Sequence, residues 1–152
     1  MAKLVVFYSR ADENYFGGQH RYIKVGNTEK AAKTIAQITG ADLFKIEQKV
    51  PYAADYNTCV AEARKDFQEN ARPEFVNLPT NLNAYDEIYL GYPNYCGTMP
   101  MAVYTFLETY DFSGKTIHPC LSTLFEKIST PSDRHRGMTF RPPWAFCVLK
   151  IP

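Results

Sequence analysis

Five consecutive apolar residues, Leu4-Val5-Val6-Phe7-Tyr8, constrain the fold more than any other feature of the chain. They are followed by Ser9-Arg10, a polar stretch, and then Gly26-Asn27-Thr28 at the head of an amphipathic segment. The run is too short and too β-branched for a buried helix. Its continuous apolarity suits a central parallel strand covered on both faces. A strand that ends in a small hydroxyl residue before a Gly-initiated helix presents backbone N–H groups to an anion, and phosphate is the obvious candidate.

The same grammar continues downstream. Residues 9–26 show no consistent period and read as one long loop with a turn signal at Gly17-Gly18. Asn27 or Thr28 can cap a helix that places Ala32, Ile35, Ala36 and Ile38 on one face before Gly40 stops it. Residues 42–46 form a second, more peripheral strand. Asp55 caps a helix carrying Tyr56, Val60, Ala63 and Phe67, which ends at Arg72-Pro73. Residues 86–92 are the third strand. A second strand-to-helix loop follows, Pro93-Asn94-Tyr95-Cys96-Gly97-Thr98, and Pro100 opens a helix with Val103, Phe106, Leu107 and Tyr110 on one side. A fourth strand covers residues 115–118. Residues 121–128 could make a short helix, and residues 144–151 a fifth strand with no room for a helix after it.

This β-α-β-α-β-α-β order describes an α/β protein, a doubly wound open parallel sheet with strand order 2-1-3-4-5 and one domain over residues 1–152, its part from 121 onward atypical or shortened. In that order the first and third strands are neighbours at the switch point, so the two loops share one crevice. The charge of +1 and the lack of a long basic block argue against nucleic acid. Cys59, Cys96, Cys120 and Cys147 are widely spaced with no CxxC, which suggests reduced thiols rather than a disulfide framework or a zinc site. No run of 18 apolar residues occurs, so a cytoplasmic protein with no membrane span is expected.

The first strand, Ser9-Arg10, Gly26-Asn27-Thr28 and the segment Gly91-Tyr92-Pro93-Asn94-Tyr95-Cys96-Gly97-Thr98-Met99-Pro100 together resemble the flavodoxin family, in its branch with an insertion in the phosphate loop, here residues 11–25. The resemblance covers residues 3–120. It implies FMN as cofactor, with Ser9, Arg10, Gly26, Asn27 and Thr28 at the phosphate and Pro93, Asn94, Tyr95, Cys96, Gly97 and Thr98 beside the flavin ring. Tyr95 is the candidate for stacking on the ring. Gly97 is the position where a peptide could rotate toward a flavin nitrogen, because glycine accepts positive φ cheaply. Cys96 has no basic neighbour and reads as a packed cysteine. The family's Gly- and Ser-rich third loop has no counterpart at residues 120–126, which lack glycine.

No nucleophile–base pair and no metal-ligand cluster is readable, so no catalytic side chain is assigned and the chemistry belongs to the cofactor. The expected role is electron transfer or flavin-dependent reduction, with a redox partner protein or a small electron acceptor. The altered end leaves apolar surface that a partner or a second copy, as a homodimer, could cover. The alternative is an interaction module that keeps the fold but has weakened or lost FMN binding. A receiver-type regulatory domain needs acidic residues after the first strand, where this chain has Ser9-Arg10.

Overall fold

The computed structural model describes residues 2–121 and 139–140. β1 (Ala2–Phe7) lies inside a parallel sheet, flanked by β4 (Asp42–Lys45) on one side and β5 (Tyr85–Tyr92) on the other. β6 (Thr116–Leu121) pairs with β5, and the two-residue β7 (Thr139–Phe140) pairs with β6, so the sheet runs β4-β1-β5-β6-β7. The second, first, third and fourth predicted strands therefore stand in the expected order. The fifth position differs in detail: Thr139–Phe140 occupies it, and the expected strand at residues 144–151 and helix at residues 121–128 lie outside the described residues, apart from Leu121, which ends β6.

The apolar run explains itself in this setting. Alternate side chains of a strand face opposite ways, and here Leu4, Val6 and Tyr8 join one buried cluster while Val5 and Phe7 join another. α3 (Met101–Thr109) covers the first face through Ala102, Val103, Phe106 and Leu107. α1 (Asn27–Thr39) covers the second through Ala32 and Ile35. Its predicted inner face is corrected at one position: Ile38 is exposed, and Thr28 and Ala31 are buried instead, because the contact stripe sits closer to the start of the helix. α2 (Tyr56–Gln68) buries Cys59 and Ala63, with Phe67 largely outside. Asp55 caps it as expected, its carboxylate accepting from Thr58 N at 2.7 Å.

The long loop is the main correction. Residues 9–26 contain an antiparallel hairpin of β2 (Asp12–Phe16) and β3 (Gln19–Ile23), joined through Gly17 and Gly18, both at positive φ. Its pairs put Tyr15 opposite His20 and Glu13 opposite Tyr22. Both strands stand off the core, so neither carries the apolar alternation that would have announced it. Among the described residues, no helix is long and apolar enough to cross a membrane.

Candidate functional site

At the carboxyl ends of β1 and β5 the chain leaves the sheet twice. Tyr8 N donates to Gly91 O at 2.9 Å, so the two exits are tied side by side. Ser9 follows at once, and its Oγ accepts from Glu29 N at 3.1 Å. Gly26 precedes α1 and offers no side-chain cap, so the expected capping by Asn27 or Thr28 is replaced by this hydroxyl reaching over from the end of β1. The approach is close: a Cβ on Gly26 would collide with Ser9 Oγ and lie 2.6 Å from Arg10 O. Gly91 plays a similar part from the sheet, since a Cβ there would meet Thr28 Cγ2 at 3.3 Å. Glycine within a strand often marks such an approach, and this signal was present in the sequence.

Ser9, Gly26 and Thr28 are thus assembled at one point, with Asn27 half-buried beside them. The guanidinium of Arg10 lies elsewhere. It donates to Glu13 O, to Ala53 O at 2.7 Å and to Ala54 O at 2.6 Å, bracing the hairpin against the segment before α2. Its Nε is buried and without a partner among the described residues. Glu13 strengthens the brace, its carboxylate accepting from Tyr56 N at 2.9 Å. His20 packs between Tyr15 and Tyr56, ring centroids 5.6 Å and 4.9 Å away. An isolated two-stranded hairpin is marginally stable at best, and these contacts hold this one in place.

The second loop has a defined shape. Tyr95 N donates to Thr98 O at 2.7 Å and Thr98 N to Tyr95 O at 3.0 Å, with Cys96 at φ 55° and Gly97 at φ 81° between them. Positive φ at both central residues is the signature of a type I′ turn. The reading of Cys96 as a packed cysteine is corrected, for it is exposed at the turn tip in a conformation that costs a non-glycine residue about 1–2 kcal/mol. Thr98 Oγ1 shares a hydrogen bond of 2.7 Å with Tyr104 OH, which pins the turn to α3. Pro93 and Asn94 are half-buried at the start of the loop.

Tyr95 turns its ring into the core, edge-on to Tyr8 at 6.0 Å and tilted against Tyr52 at 6.4 Å. Burial pushes its phenol well up, reinforced by Tyr8 and Cys59 and opposed by the charge of Arg10. Tyr8 donates to Gln48 Oε1 at 2.6 Å, and Tyr52 to Asp66 Oδ2 at 2.6 Å. Behind Tyr52 a cleft of about 510 Å³ opens, lined in part by Gln48, Lys49, Asp66 and Arg72. Lys49 pairs with Glu74 and Arg72 with Glu108, so those two cations are already matched.

At the end of β5, burial pushes the Tyr92 phenol up to about 12, with smaller contributions from Tyr104 and Cys120. A pKa raised on folding leaves stability intact below the unfolded value of 10.0 and removes it as pH rises toward the folded value. Between about pH 10 and 12 this one group is expected to cost about 1.4 kcal/mol per pH unit. Urea midpoints measured across that range should fall less steeply for Tyr92→Phe than for the wild type.

The chemistry of the donor set suits an anion. A helix start without a side-chain cap of its own leaves backbone N–H donors facing outward.

Comparison with known proteins gives the following. Residues 20–132 match the family model described as Flavodoxin. No curated protein matches the chain. Among solved structures, a candidate flavoprotein from Bacteroides uniformis is similar at 25% identity and TM-score 0.67, over 84% of this chain and 75% of that one. A candidate flavoprotein from Bacteroides eggerthii is similar at 25% identity and TM-score 0.65, over 80% and 70%. A flavoprotein from Lactobacillus acidophilus, solved in complex with FMN, shares the fold at 20% identity and TM-score 0.60, over 80% and 74%.

Proposed function

The chain belongs to the flavodoxin family, and from that premise we propose that it binds FMN at the carboxyl ends of β1 and β5 and serves in electron transfer or flavin-dependent reduction. The observation that carries this reading is the anion-ready start of α1, built from Gly26, Asn27 and Thr28 under the hydroxyl of Ser9, beside the turn that follows β5. Backbone N–H groups at the positive end of the helix dipole suit the FMN phosphate. The Arg10 carbonyl lies against Gly26, while its guanidinium is held by the carbonyls of Ala53 and Ala54.

Pro93, Asn94, Tyr95, Cys96, Gly97 and Thr98 take the ring side. The exposed Cys96–Gly97 peptide can hydrogen-bond to a ring edge, while Tyr95, packed beneath, excludes water and supports the turn. FMN, when bound, supplies the redox chemistry. The protein's part is to hold the phosphate, orient the ring and exclude solvent. The electrons go to a redox partner protein or a small acceptor, and the thiols of Cys59 and Cys96 suit a reducing cytoplasm.

Titration of the cofactor-free protein with FMN, followed by flavin fluorescence, tests the reading. The expected result is a one-to-one yellow complex with a Kd of about 1 µM or tighter, equivalent to roughly 8 kcal/mol. A protein that takes up no FMN overturns this function and leaves the interaction-module alternative.

A further inference from the structure

We propose that Glu29 with its two lysines, Lys33 and Lys45, sets how strongly the site prefers a phosphorylated flavin: the carboxylate competes with phosphate for the start of α1, and the lysines cancel it. This inference rests on the FMN-binding reading above.

Glu29 stands in the first turn of α1, and its backbone N–H is the group that donates to Ser9 Oγ at 3.1 Å. An acidic side chain in the first turn of a helix is drawn to the same positive end that attracts a phosphate. The two anions therefore contend for one pole. In this chain the carboxylate is held from both sides. Its Oε1 accepts from Lys33 Nζ at 2.7 Å, one turn along the helix, and its Oε2 lies 3.2 Å from Lys45 Nζ. Lys45 is the last residue of β4 and stands in register with Phe7, so it reaches the cluster from the strand beside the one that delivers Ser9. The Glu29 side chain is only 18% exposed, and partly buried charges are screened less than those at the open surface.

Glu47 Oε1 lies 3.5 Å from Lys45 as well, so the four side chains balance, two positive and two negative. Hydrogen bonding by Lys33 and Lys45 holds the Glu29 carboxyl below the usual carboxylate range against the opposing push of burial, so the charge is present at neutral pH. Removing Lys33 leaves that charge half-answered, one turn from the donors that would hold the phosphate. Lys33 itself stands farther along the helix and is 53% exposed, so its own field at the helix start is weaker than that of Glu29.

The test uses the full chain and compares the Kd for FMN with that for riboflavin, which lacks only the phosphate, by flavin fluorescence. Taking the ratio on one preparation cancels any loss of folded protein, and every other charge near the site is the same in each variant. Lys33→Met is expected to lower the preference for FMN over riboflavin about fivefold, the size of a charge effect at a helix terminus. Lys45→Met should act in the same sense, and Glu29→Gln in the opposite one. Combined with Glu29→Gln, Lys33→Met is expected to change the preference less than about twofold. A preference unmoved by Lys33→Met overturns the proposal. So does a Lys33→Met loss of equal size with and without Glu29→Gln, which would mean that the lysine acts on the phosphate itself. Wild-type protein that takes up no flavin overturns the functional reading together with this one; FMN uptake with a preference indifferent to Lys33 and Glu29 overturns only the role of the cluster.

Discussion

Replacing Gly26 by alanine is expected to weaken FMN binding at least about a hundredfold, a loss of roughly 2.8 kcal/mol, and to lower the melting temperature as well. Backbone conformation is not the reason, since Gly26 has φ −63° and any residue could adopt it. The reason is contact. The new methyl group would collide with Ser9 Oγ and sit 2.6 Å from Arg10 O, and a backbone carbonyl cannot swing aside as a long side chain can. Either α1 moves off the end of β1 or Ser9 lets go of Glu29 N, and in both cases the array of donors at the helix start is broken. Overpacking of this kind costs about 1–3 kcal/mol, which for a chain of this size is a fall of roughly 2–12 °C. Thermal melts and FMN titrations on the same variant check both halves. Gly18→Ala is the control: it meets nothing within 4 Å, so its positive φ of 78° should cost only local strain and leave FMN affinity alone. If Gly26→Ala behaved like Gly18→Ala, the close approach would not matter to binding.

Phe106→Ala is expected to divide its effects the other way, with a large loss of stability and a small change at the site. Phe106 is fully buried on α3, and its ring lies 5.2 Å from Tyr110, 5.6 Å from Phe112 and 6.4 Å from both Phe44 and Phe75. Removing a ring from such a cluster costs about 3–5 kcal/mol, because the lost transfer energy is joined by a cavity the neighbours cannot fill. Against a typical total of about 5–15 kcal/mol, that brings the protein close to unfolding. Urea denaturation should show a much lower midpoint with an unchanged slope. The Tyr104–Thr98 hydrogen bond is made by other side chains of α3 and its preceding turn, so FMN affinity of the folded fraction should stay within about tenfold of wild type. A loss of affinity as large as that of Gly26→Ala would mean that α3 sets the geometry of the second loop more directly than its contacts suggest.

Gly26→Ala and Phe106→Ala separate two kinds of information carried by the chain. Burial on both sides of β1 was written in the run Leu4 to Tyr8, because a strand covered on two faces has no polar alternate residues to interrupt it. The boundaries of α1 and α2 were legible from Gly40 and Asp55, which act locally through a left-handed backbone and a carboxylate cap. Alternation of strand and helix pointed to a parallel sheet, since parallel neighbours require crossovers of one hand, and the order of its first four strands is that of the flavodoxin-type doubly wound sheet.

Other features depend on residues far apart in sequence, and no local pattern encodes them. The hairpin at residues 12–23 is stabilised by Arg10, Ala53, Ala54 and Tyr56 rather than by an apolar face of its own, so it read as a loop. Ser9 caps a helix that begins eighteen residues later, and only the adjacency of β1 and α1 brings its hydroxyl there. Tyr95 was legible as a loop aromatic beside the expected ring, but only the fold sets its half-buried ring against Tyr8 and Tyr52. By itself the sequence determined the sheet, its helices and the two chain exits that meet at one edge, because strand and helix periods are short-range and survive without partners. Only the tertiary structure decided which groups those exits offer to a ligand, since hydrogen bonds and buried charges are settled by whichever partners the fold brings within about 3 Å.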